Sequence, residues 1–305
     1  MIKMRKSFIL LLFILMASVA VQARRQAGHV VFIGMDGWGA YSVPKSNMPT
    51  VKQMMAEGSY TLEKRTVLPS SSAVNWGTMF MGAGPEVHGY TEWNTQVPEP
   101  PSRVVCEHGI FPTIFHQLRE AEPEAEIGVI YEWSGIKYVV DTLALNYYEQ
   151  APNFEKFPTA LTEMAEKYIL EKKPRLVAIC YDNPDHVGHV TGHDTPEYYE
   201  KLEELDTYVA RIVEATRQAG IYDDTVFILT SDHGGKDKGH GGKTLLEMET
   251  PFVIFGKGIR AGHVIETSMV QYDVAATMAY ILGVPQPQVW TGRPVLSVFG
   301  KKGKR

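Results

Sequence analysis

Short apolar runs alternate with amphipathic segments along most of the chain, and this alternation constrains the fold more than any other feature. The predicted strands lie within 29–37, 126–133, 175–182, 225–234 and 251–258. The predicted helices lie within 48–58, 72–84, 111–123, 157–173, 196–220 and 273–284. Continuously apolar strands that alternate with helices are typical of parallel sheets with both faces covered. The sequence therefore predicts an α/β fold with a mostly parallel central sheet and helices on both faces.

The first residues have the pattern of an export signal. Three basic residues precede the apolar run FILLLFILMASVAV, and a small-residue cleavage motif ends at Ala23. An uncleaved anchor is the alternative, but the run is short for a membrane-spanning helix. We expect 1–23 to be a signal peptide cut after Ala23, which leaves 24–305 as a single domain. Such a protein would be periplasmic or secreted, without a stable membrane span after cleavage.

Composition limits the partners and the redox chemistry. The formal net charge of -5 argues against binding to a nucleic-acid duplex, which requires a basic surface. It leaves small anions open as substrates, because bound metal ions can reverse the local field. Cys106 and Cys180 are the two cysteines. An exported protein could pair them, but Cys180 lies in a predicted buried strand, which favours a free thiol. The sequence leaves this pairing open.

Acidic and imidazole side chains stand where three of the predicted strands end. They are Asp36, then Asp182 and Asp185, then Asp232 and His233. A single Asp at a strand end is an ordinary turn former. In open parallel sheets, however, ligands bind beyond the carboxyl ends of the strands. Three such ends with Asp or His therefore indicate one shared site.

The spacing of these residues suits ligands of a divalent metal. Asp185 and His189 lie four residues apart, so a helical turn would place both side chains on one side. His240 follows His233 within the stretch TSDHGGKDKGHGG, and its glycines let the backbone bend closely around an ion. Asp and His ligands without a thiolate favour Zn²⁺ or a similar ion.

The stretch VLPSSSAVNW, residues 67–76, adds a candidate nucleophile. Serines after a proline usually mark a loop or a helix cap. A helix is predicted to begin at Ser72, and the N-terminus of a helix favours developing negative charge. A serine hydroxyl becomes a competent nucleophile when a metal stabilises its alkoxide. The two interpretations are compatible, since Ser70 or Ser71 could cap the helix while Ser72 reacts.

Four stretches together resemble the ordered motifs of the alkaline phosphatase superfamily, in particular its nucleotide pyrophosphatase/phosphodiesterase branch. They are FIGMDG, PSSSAVNWGTMFMGAGPEVHG, DNPDHVGH and TSDHGGKDKGHGG, and the resemblance spans roughly residues 29 to 296. It implies an alkaline phosphatase-like catalytic domain, a small-molecule phosphate ester as substrate, and two divalent metal ions, with Zn²⁺ as the expected metal.

The resemblance also implies a role for each candidate residue. One metal would be held by Asp185, His189 and His240, and the other by Asp36, Asp232 and His233 with the Ser72 hydroxyl beside it. The family pattern leads from Pro69 to Ser72 as nucleophile and to Asn75 as the next catalytic residue. Ser72 would attack phosphorus to form a phosphoserine, and Asn75 would turn its amide toward a phosphoryl oxygen.

Three further histidines receive other interpretations. His88 matches a position that is structural in the family. His186 and His193 have no place in the ligand scheme, and they are predicted to be surface or supporting residues, with the alternative that either replaces a misassigned ligand. The stretch 134–158 is predicted to be an irregular insert, in which Tyr147 and Tyr148 pack rather than line a substrate pocket.

Other activities on this fold remain as alternatives. A sulfatase needs a Cys or Ser within a C/S-x-P-x-R run, and SSSAVNWG has neither the proline nor the arginine. A phosphomonoesterase and a non-catalytic metal-binding protein also stay open. Phosphodiesters are the preferred substrates, because no arginine near Ser72 in the sequence could form a fork on a dianionic phosphate. Asn75 would offer a neutral donor instead.

Overall fold

An eight-stranded sheet forms the centre of the computed structural model, which describes residues 25–300. Its strands are β1 (His29–Met35), β2 (Ser59–Arg65), β3 (Ile127–Tyr131), β4 (Tyr147–Gln150), β5 (Leu176–Tyr181), β6 (Thr225–Thr230), β7 (Glu249–Gly256) and β8 (His263–Val264). Their order across the sheet is β4-β3-β5-β1-β6-β7-β2-β8. Strand β7 runs antiparallel to both neighbours, and the other neighbouring pairs are parallel. The predicted mostly parallel sheet is confirmed.

Helices cover both faces of this sheet, as predicted. They are α1 (Pro49–Glu57), α2 (Ser72–Met81), α3 (Pro85–His88), α4 (Ile114–Ala121), α5 (Ala160–Lys172), α6 (Asp185–Thr191), α7 (Pro196–Gln218), α8 (Leu245–Met248) and α9 (Asp273–Leu282). Alternate residues of β1 enter different hydrophobic cores: Val30 and Phe32 pack with α2, α4 and α9, whereas Val31 and Ile33 pack with α1, α5 and α7. A strand buried on both faces explains the continuous apolar runs of the sequence.

The central strands end together at the edge where the candidate residues stand. Met35 of β1 is in register with Tyr181 of β5, and Gly34 is in register with Thr230 of β6. Asp36 therefore leaves the sheet between the segments that follow β5 and β6. Gly37 then turns with a φ of +69°, and a Cβ built on it would lie 2.6 Å from the Asp185 side chain. Glycine at this position lets two acidic segments approach each other closely.

The stretch 134–158 is more ordered than the sequence predicted. It contains 3₁₀ turns at Ser134–Tyr138 and Thr142–Ala144, and β4 extends the edge of the sheet parallel to β3. The Tyr147 ring stacks on Tyr168 with centroids 4.9 Å apart, which agrees with a packing role, whereas Tyr148 is 50% exposed and the packing prediction is wrong for it. The strand escaped detection because it is short and mostly exposed, so it shows no buried apolar run.

Both cysteines are free thiols, Cys106 half-buried and Cys180 buried. The predicted signal peptide and its cleavage after Ala23 lie outside the described residues. Within residues 25–300, no helix is both long and apolar enough to cross a membrane.

Candidate active site

Ser72 is the first residue of α2, and its hydroxyl reaches a histidine at the end of β6. Ser72 Oγ lies 3.2 Å from His233 Nε2. Ser71 occupies the cap position with extended backbone, but its side chain makes no capping hydrogen bond. The hydroxyl at the start of the helix therefore faces the candidate ligands.

Asp36, Asp232 and His233 form one buried group, with one possible ligand atom from each residue. His233 Nε2 lies 3.3 Å from Asp36 Oδ1 and 3.2 Å from Asp232 Oδ2. The other oxygen of each carboxylate is already held. Trp76 Nε1 donates to Asp36 Oδ2 at 3.0 Å, and Gly37 N donates to Asp232 Oδ1 at 3.2 Å. These bonds leave one oxygen of each carboxylate directed at the group.

Asp185, His189 and His240 form a second group of possible ligand atoms. Asp185 Oδ2 lies 3.0 Å from His189 Nε2 and 3.7 Å from His240 Nε2. The four-residue spacing on α6 brings the first pair together, as predicted. The His240 ring stacks on His233 with centroids 3.8 Å apart, so the two groups are adjacent.

All three candidate histidine ligands present the same ring nitrogen. Nδ1 of His189 contacts Lys238 O at 2.9 Å, Nδ1 of His233 contacts Gly234 O at 2.8 Å, and Nδ1 of His240 contacts Ser70 O at 3.1 Å. A carbonyl oxygen only accepts hydrogen bonds, so Nδ1 carries the proton in each neutral ring. The Nε2 lone pairs are then free to bind a metal, and the rings are held in orientation.

Within residues 25–300, three carboxylate oxygens of the site have no hydrogen-bond partner. Asp36 Oδ1, Asp232 Oδ2 and Asp185 Oδ1 are buried without a hydrogen-bond partner among the described residues. Burial and the charge of Asp232 raise the pKa of Asp36, while burial and the charge of Asp185 raise the pKa of Asp232 to about 8. Burial lowers the pKa of His233 well below its usual range. In the first group, the two buried carboxylates and the unprotonated Nε2 of His233 fit a divalent cation.

The Asp185–His189 pair differs, because it is ionised within itself. Burial acts to raise the pKa of Asp185, but the hydrogen bond from His189 and the nearby imidazoles bring it below its usual range. The same hydrogen bond raises the pKa of His189 to about 9. A cation bound there would have to displace this proton, so metal affinity would fall as the pH falls.

The structure contradicts the expected orientation of Asn75. Its Nδ2 donates to Val67 O, Pro69 O and Ser71 O at 3.0–3.2 Å, and its Oδ1 accepts from Val67 N at 2.9 Å. The side chain is fully buried and faces the serine loop rather than the phosphate position. Asn75 therefore shapes the loop that carries Ser72, and it does not present its amide to a phosphoryl oxygen.

The other serines and histidines also take particular places. Ser70 Oγ donates to Gly242 O at 2.7 Å and accepts from Gly241 N at 3.2 Å, which fastens the loop of His240. His193 is buried beside the second group, with Nε2 3.5 Å from Asp185 Oδ1, and neither ring nitrogen has a hydrogen-bond partner among the described residues. His186 points instead toward Glu155 at 3.3 Å. His88 is buried and bonds Thr78 Oγ1 at 3.0 Å, consistent with a structural position.

Sequence reasoning missed the roles of Lys64 and Trp76 in supporting the site. Lys64 is fully buried, and its Nζ donates to Ser231 O at 3.0 Å and to Gln271 Oε1. Burial lowers the pKa of Lys64 to about 7, although the charge of Asp232 opposes this shift. Trp76, the donor to Asp36, looked like an ordinary core aromatic. Neither role has a local sequence signal, because each depends on a contact with a distant segment.

A cleft of about 510 Å³ opens beside the nucleophile loop and the second group. It is lined by Pro69, Ser71, Glu92, Trp93, His189, His240 and Gly241. The Trp93 side chain is 56% exposed, and its backbone oxygen accepts from Ala73 N at 3.0 Å, which fixes this residue beside α2. Among the residues described, the lining includes no Lys or Arg. No sequence pattern singles out Trp93, which lies in an irregular stretch.

A family model for type I phosphodiesterase/nucleotide pyrophosphatase matches residues 30–253. This range holds most of the chain, and both ligand groups and Ser72 lie inside it. The chain belongs to this family. The superfamily resemblance inferred from the four motifs is therefore confirmed.

Two solved structures share the phosphodiesterase fold of this chain. An inactive variant of murine ectonucleotide pyrophosphatase/phosphodiesterase 5 in complex with AMP has a TM-score of 0.72 at 15% identity, and covers 89% of this chain and 100% of its own. A 2-O GAG sulfatase has a TM-score of 0.72 at 14% identity, and covers 92% of this chain and 76% of its own. Likeness at such identities shows the fold alone.

Curated relatives match over shorter spans. The 2,3-bisphosphoglycerate-independent phosphoglycerate mutase of Cereibacter sphaeroides is 29% identical over 202 residues, which cover 63% of this chain and 38% of that enzyme. The catalytic subunit of human GPI ethanolamine phosphate transferase 2 is 29% identical over 119 residues, which cover 37% of this chain and 12% of that protein. The matches thus span well under half the length of these relatives.

Proposed function

We propose that this protein is a two-metal phosphodiesterase that works through a phosphoserine at Ser72. The contact of 3.2 Å between Ser72 Oγ and His233 Nε2 carries the proposal, because it puts a hydroxyl beside two adjoining Asp/His groups. Family membership supports hydrolysis of a phosphate ester. The two metal ions and the phosphoserine intermediate are our proposal beyond family membership.

The two cations, when bound, would supply positive charge for the Ser72 alkoxide and for the leaving oxygen. One would be held by Asp36, Asp232 and His233, and the other by Asp185, His189 and His240. Their ligand atoms are fixed beforehand by Trp76, by Gly37 N and by the three carbonyls bound to Nδ1. Such preorganisation lowers the cost of reaching the transition state.

The position of Ser72 favours attack on phosphorus. As the first residue of α2 it lies at the positive end of the helix dipole, where an alkoxide and a phosphoryl group are stabilised. Its hydroxyl proton passes to solvent as the Oγ–P bond forms, the P–O bond to the leaving group breaks, and the leaving oxygen takes a proton from solvent. Water then attacks phosphorus, the Oγ–P bond breaks, and a proton of that water ends on Ser72 Oγ while the phosphate product leaves.

The lining of the cleft supports a diester rather than a monoester. A monoester dianion rewards an arginine fork or another cation, whereas a diester carries a single charge and a second substituent. The lining residues include the carboxylate of Glu92 and the exposed indole of Trp93. Glu92 disfavours additional negative charge, and Trp93 offers a flat apolar face to a second substituent.

The test is a hydrolysis screen of the zinc-loaded mature protein with matched aryl diesters, aryl monoesters and aryl sulfates. We expect kcat/KM for the diester to exceed that for the monoester at least about tenfold. Trp93→Ala should lower diester turnover more than monoester turnover. Glu92→Gln should reduce the ratio of kcat/KM for the diester to that for the monoester. Phe157→Ala, at another exposed aromatic residue, serves as the matched control.

Each other outcome of the screen supports a different activity. A monoester preference of about tenfold would favour a phosphomonoesterase and contradict our interpretation of the cleft. Turnover of the aryl sulfate alone would indicate a sulfatase, and absence of any turnover would indicate a metal-binding protein without catalysis. We also propose that the protein acts in the periplasm or outside the cell, in which case sequencing of the exported protein should begin at Arg24.

A further inference from the structure

A third group of metal-ligating side chains lies outside the candidate active site and shares no residue with it. Cys106, His108, His116 and Asp141 each present one ligand atom, and the four atoms all lie within 4.8 Å of one another. Neither the family motifs nor the proposed reaction uses any of them.

Local structure explains how three separate segments meet here. Gly109 N donates to Cys106 O at 2.9 Å, and this turn places Cys106 and His108 on the same side. His116 lies in the first turn of α4, where Thr113 Oγ1 caps its backbone N–H at 3.1 Å. Asp141 caps the 3₁₀ turn Thr142–Ala144 with Oδ1, which leaves Oδ2 for the group.

The distances from Asp141 Oδ2 to the other three ligand atoms bracket those of a tetrahedral zinc site. Asp141 Oδ2 lies 2.7 Å from His108 Nδ1, 3.3 Å from His116 Nδ1 and 4.0 Å from Cys106 Sγ. Ligand atoms around a tetrahedral Zn²⁺ are separated by about 3.3–3.8 Å, given bonds of about 2.0–2.3 Å. Small side-chain rotations would bring the four atoms to that geometry.

Two further observations point to a ligand. His116 is 6% exposed, and its Nδ1 is buried without a hydrogen-bond partner among the described residues. An unsatisfied buried ring nitrogen is costly unless something binds it. The opposite edges of the two rings face Glu107, whose carboxylate lies 3.9 Å from His108 Nε2 and 3.7 Å from His116 Nε2. These distances exceed a hydrogen bond, but the exposed Glu107 side chain needs only a small rotation to accept one, and carboxylates that do so orient histidine ligands of metals.

We propose that Cys106 Sγ, His108 Nδ1, His116 Nδ1 and Asp141 Oδ2 bind one structural Zn²⁺. Four protein ligands complete a tetrahedron and leave no open position, so this site holds structure and performs no catalysis. Binding releases the thiol proton to solvent as the thiolate bonds to the metal.

The metal would fasten a long irregular segment. Residues 89–113 contain neither helix nor strand, and an irregular segment of this length is unusual in a compact domain unless it is functional or tied down. The site joins its distal part to α4 and to the stretch after β3. The same segment carries Glu92 and Trp93 into the cleft of the candidate active site. The structural zinc would thus limit the motion of that cleft wall.

The test is a Co²⁺ titration of the metal-depleted mature protein. Cobalt bound to a thiolate gives a charge-transfer absorption in the near ultraviolet, and the two Asp/His groups contain no thiol. We expect this absorption in the wild type and in Cys180→Ser, and we expect Cys106→Ser to abolish it. Asp232→Asn, which alters the candidate active site, should keep it.

Metal analysis provides the second readout. Cys106→Ser and His116→Asn should each contain about one equivalent of zinc less than the wild type, because three ligands bind a metal more weakly than four. Absence of the charge-transfer band in wild-type protein that still shows Co²⁺ binding would overturn the proposal. A band that survives Cys106→Ser, or a full zinc content in both variants, would overturn it as well. These outcomes do not depend on whether the protein hydrolyses phosphodiesters.

Discussion

At the scale of single residues, three consecutive serines have three different surroundings. Ser70 fastens the glycine loop of His240, Ser71 Oγ is buried without a partner among the described residues, and Ser72 contacts His233. Neighbouring hydroxyls point in different directions here because the chain passes from extended backbone at Ser71 into the helix at Ser72. Substitutions at these positions should therefore have separable effects.

Ser72→Ala is expected to remove turnover while folding and metal content stay near the wild-type values. Loss of a nucleophile typically lowers kcat by roughly three orders of magnitude or more. Ser71→Ala removes an unbonded hydroxyl, so it should be nearly neutral in stability. The turnover of Ser70→Ala should lie between those of the other two variants, because this change removes the hydrogen bonds that hold the loop of His240. The measurements are kcat for an aryl diester and metal content, and a dead Ser71→Ala with an active Ser72→Ala would contradict the assignment.

The two ligand groups lead to a separate prediction. Asp232→Asn and His189→Ala should each lose about one equivalent of metal relative to the wild type, together with activity. Each variant removes a ligand from a different group, so the double variant should lose about two equivalents. His186→Ala is the matched control, because the His186 ring faces Glu155 rather than either ligand group. Full metal content with retained activity in both single variants would refute the ligand sets.

At the scale of elements, the ends of β3, β5, β1 and β6 gather acidic side chains at one edge of the sheet. Glu132 follows β3 and accepts from Asp182 N at 2.8 Å. Burial, together with the charge of Asp182, raises the pKa of Glu132 to about 8. The edge therefore contains a carboxyl that the fold holds in its protonated form at neutral pH.

Glu132→Gln is expected to change how stability depends on pH. The folded pKa of Glu132 lies above the unfolded value, so the folded state binds more protons between about pH 4.5 and 8. The wild type should lose stability through this window as the pH rises, by up to a few kcal/mol, since one pKa unit corresponds to about 1.4 kcal/mol. Glu132→Gln should not lose stability in this way, because glutamine does not ionise.

Denaturant unfolding of the wild type and of Glu132→Gln from pH 4.5 to 8.5 measures the difference in their free energies of unfolding. We expect the variant to gain stability relative to the wild type as the pH rises. Glu149→Gln, on the exposed strand β4, should show no such trend. A difference that is constant over this range would show that Glu132 ionises freely in the folded protein.

At the scale of the whole molecule, one hydrophobic core packs on each face of the sheet. The candidate metal groups lie at the edge where the central strands end. The groups join residues that are far apart in the sequence, from Asp36 to His240. Asp36 and Asp232 have raised pKa values at this edge, and a bound cation would stabilise their ionised forms. Metal binding should therefore stabilise the folded protein.

Removal of metal is expected to lower the melting temperature by several degrees. A ligand present at about 100 times its Kd stabilises a fold by about 2.7 kcal/mol, and each kcal/mol shifts the Tm of a domain of this size by about 2–4 °C. Thermal unfolding with and without a chelator measures the effect, and added Zn²⁺ should restore the Tm while Mg²⁺ should not. An unchanged Tm after verified depletion would contradict this linkage.

Much of the fold and most of the ligand groups could be predicted from the sequence. The buried strands β1, β5 and β6 show continuous apolar runs, and the residues that follow them must meet because parallel strands end at one edge. The four-residue spacing of Asp185 and His189 also fixed their pairing on a helix. These features are determined locally, by periodicity and by the residues that follow each strand.

Only the tertiary structure decided the remaining parts of the site. The Asn75 amide bonds its own loop, Lys64 lies buried behind Asp232, and Trp93 reaches the cleft, none of which follows from the neighbouring residues. The group around Cys106 and Asp141 likewise joins segments whose spacing resembles no metal motif. Where a side chain points depends on which distant groups exclude water from it and satisfy its hydrogen bonds, and those partners are chosen by packing of the whole chain.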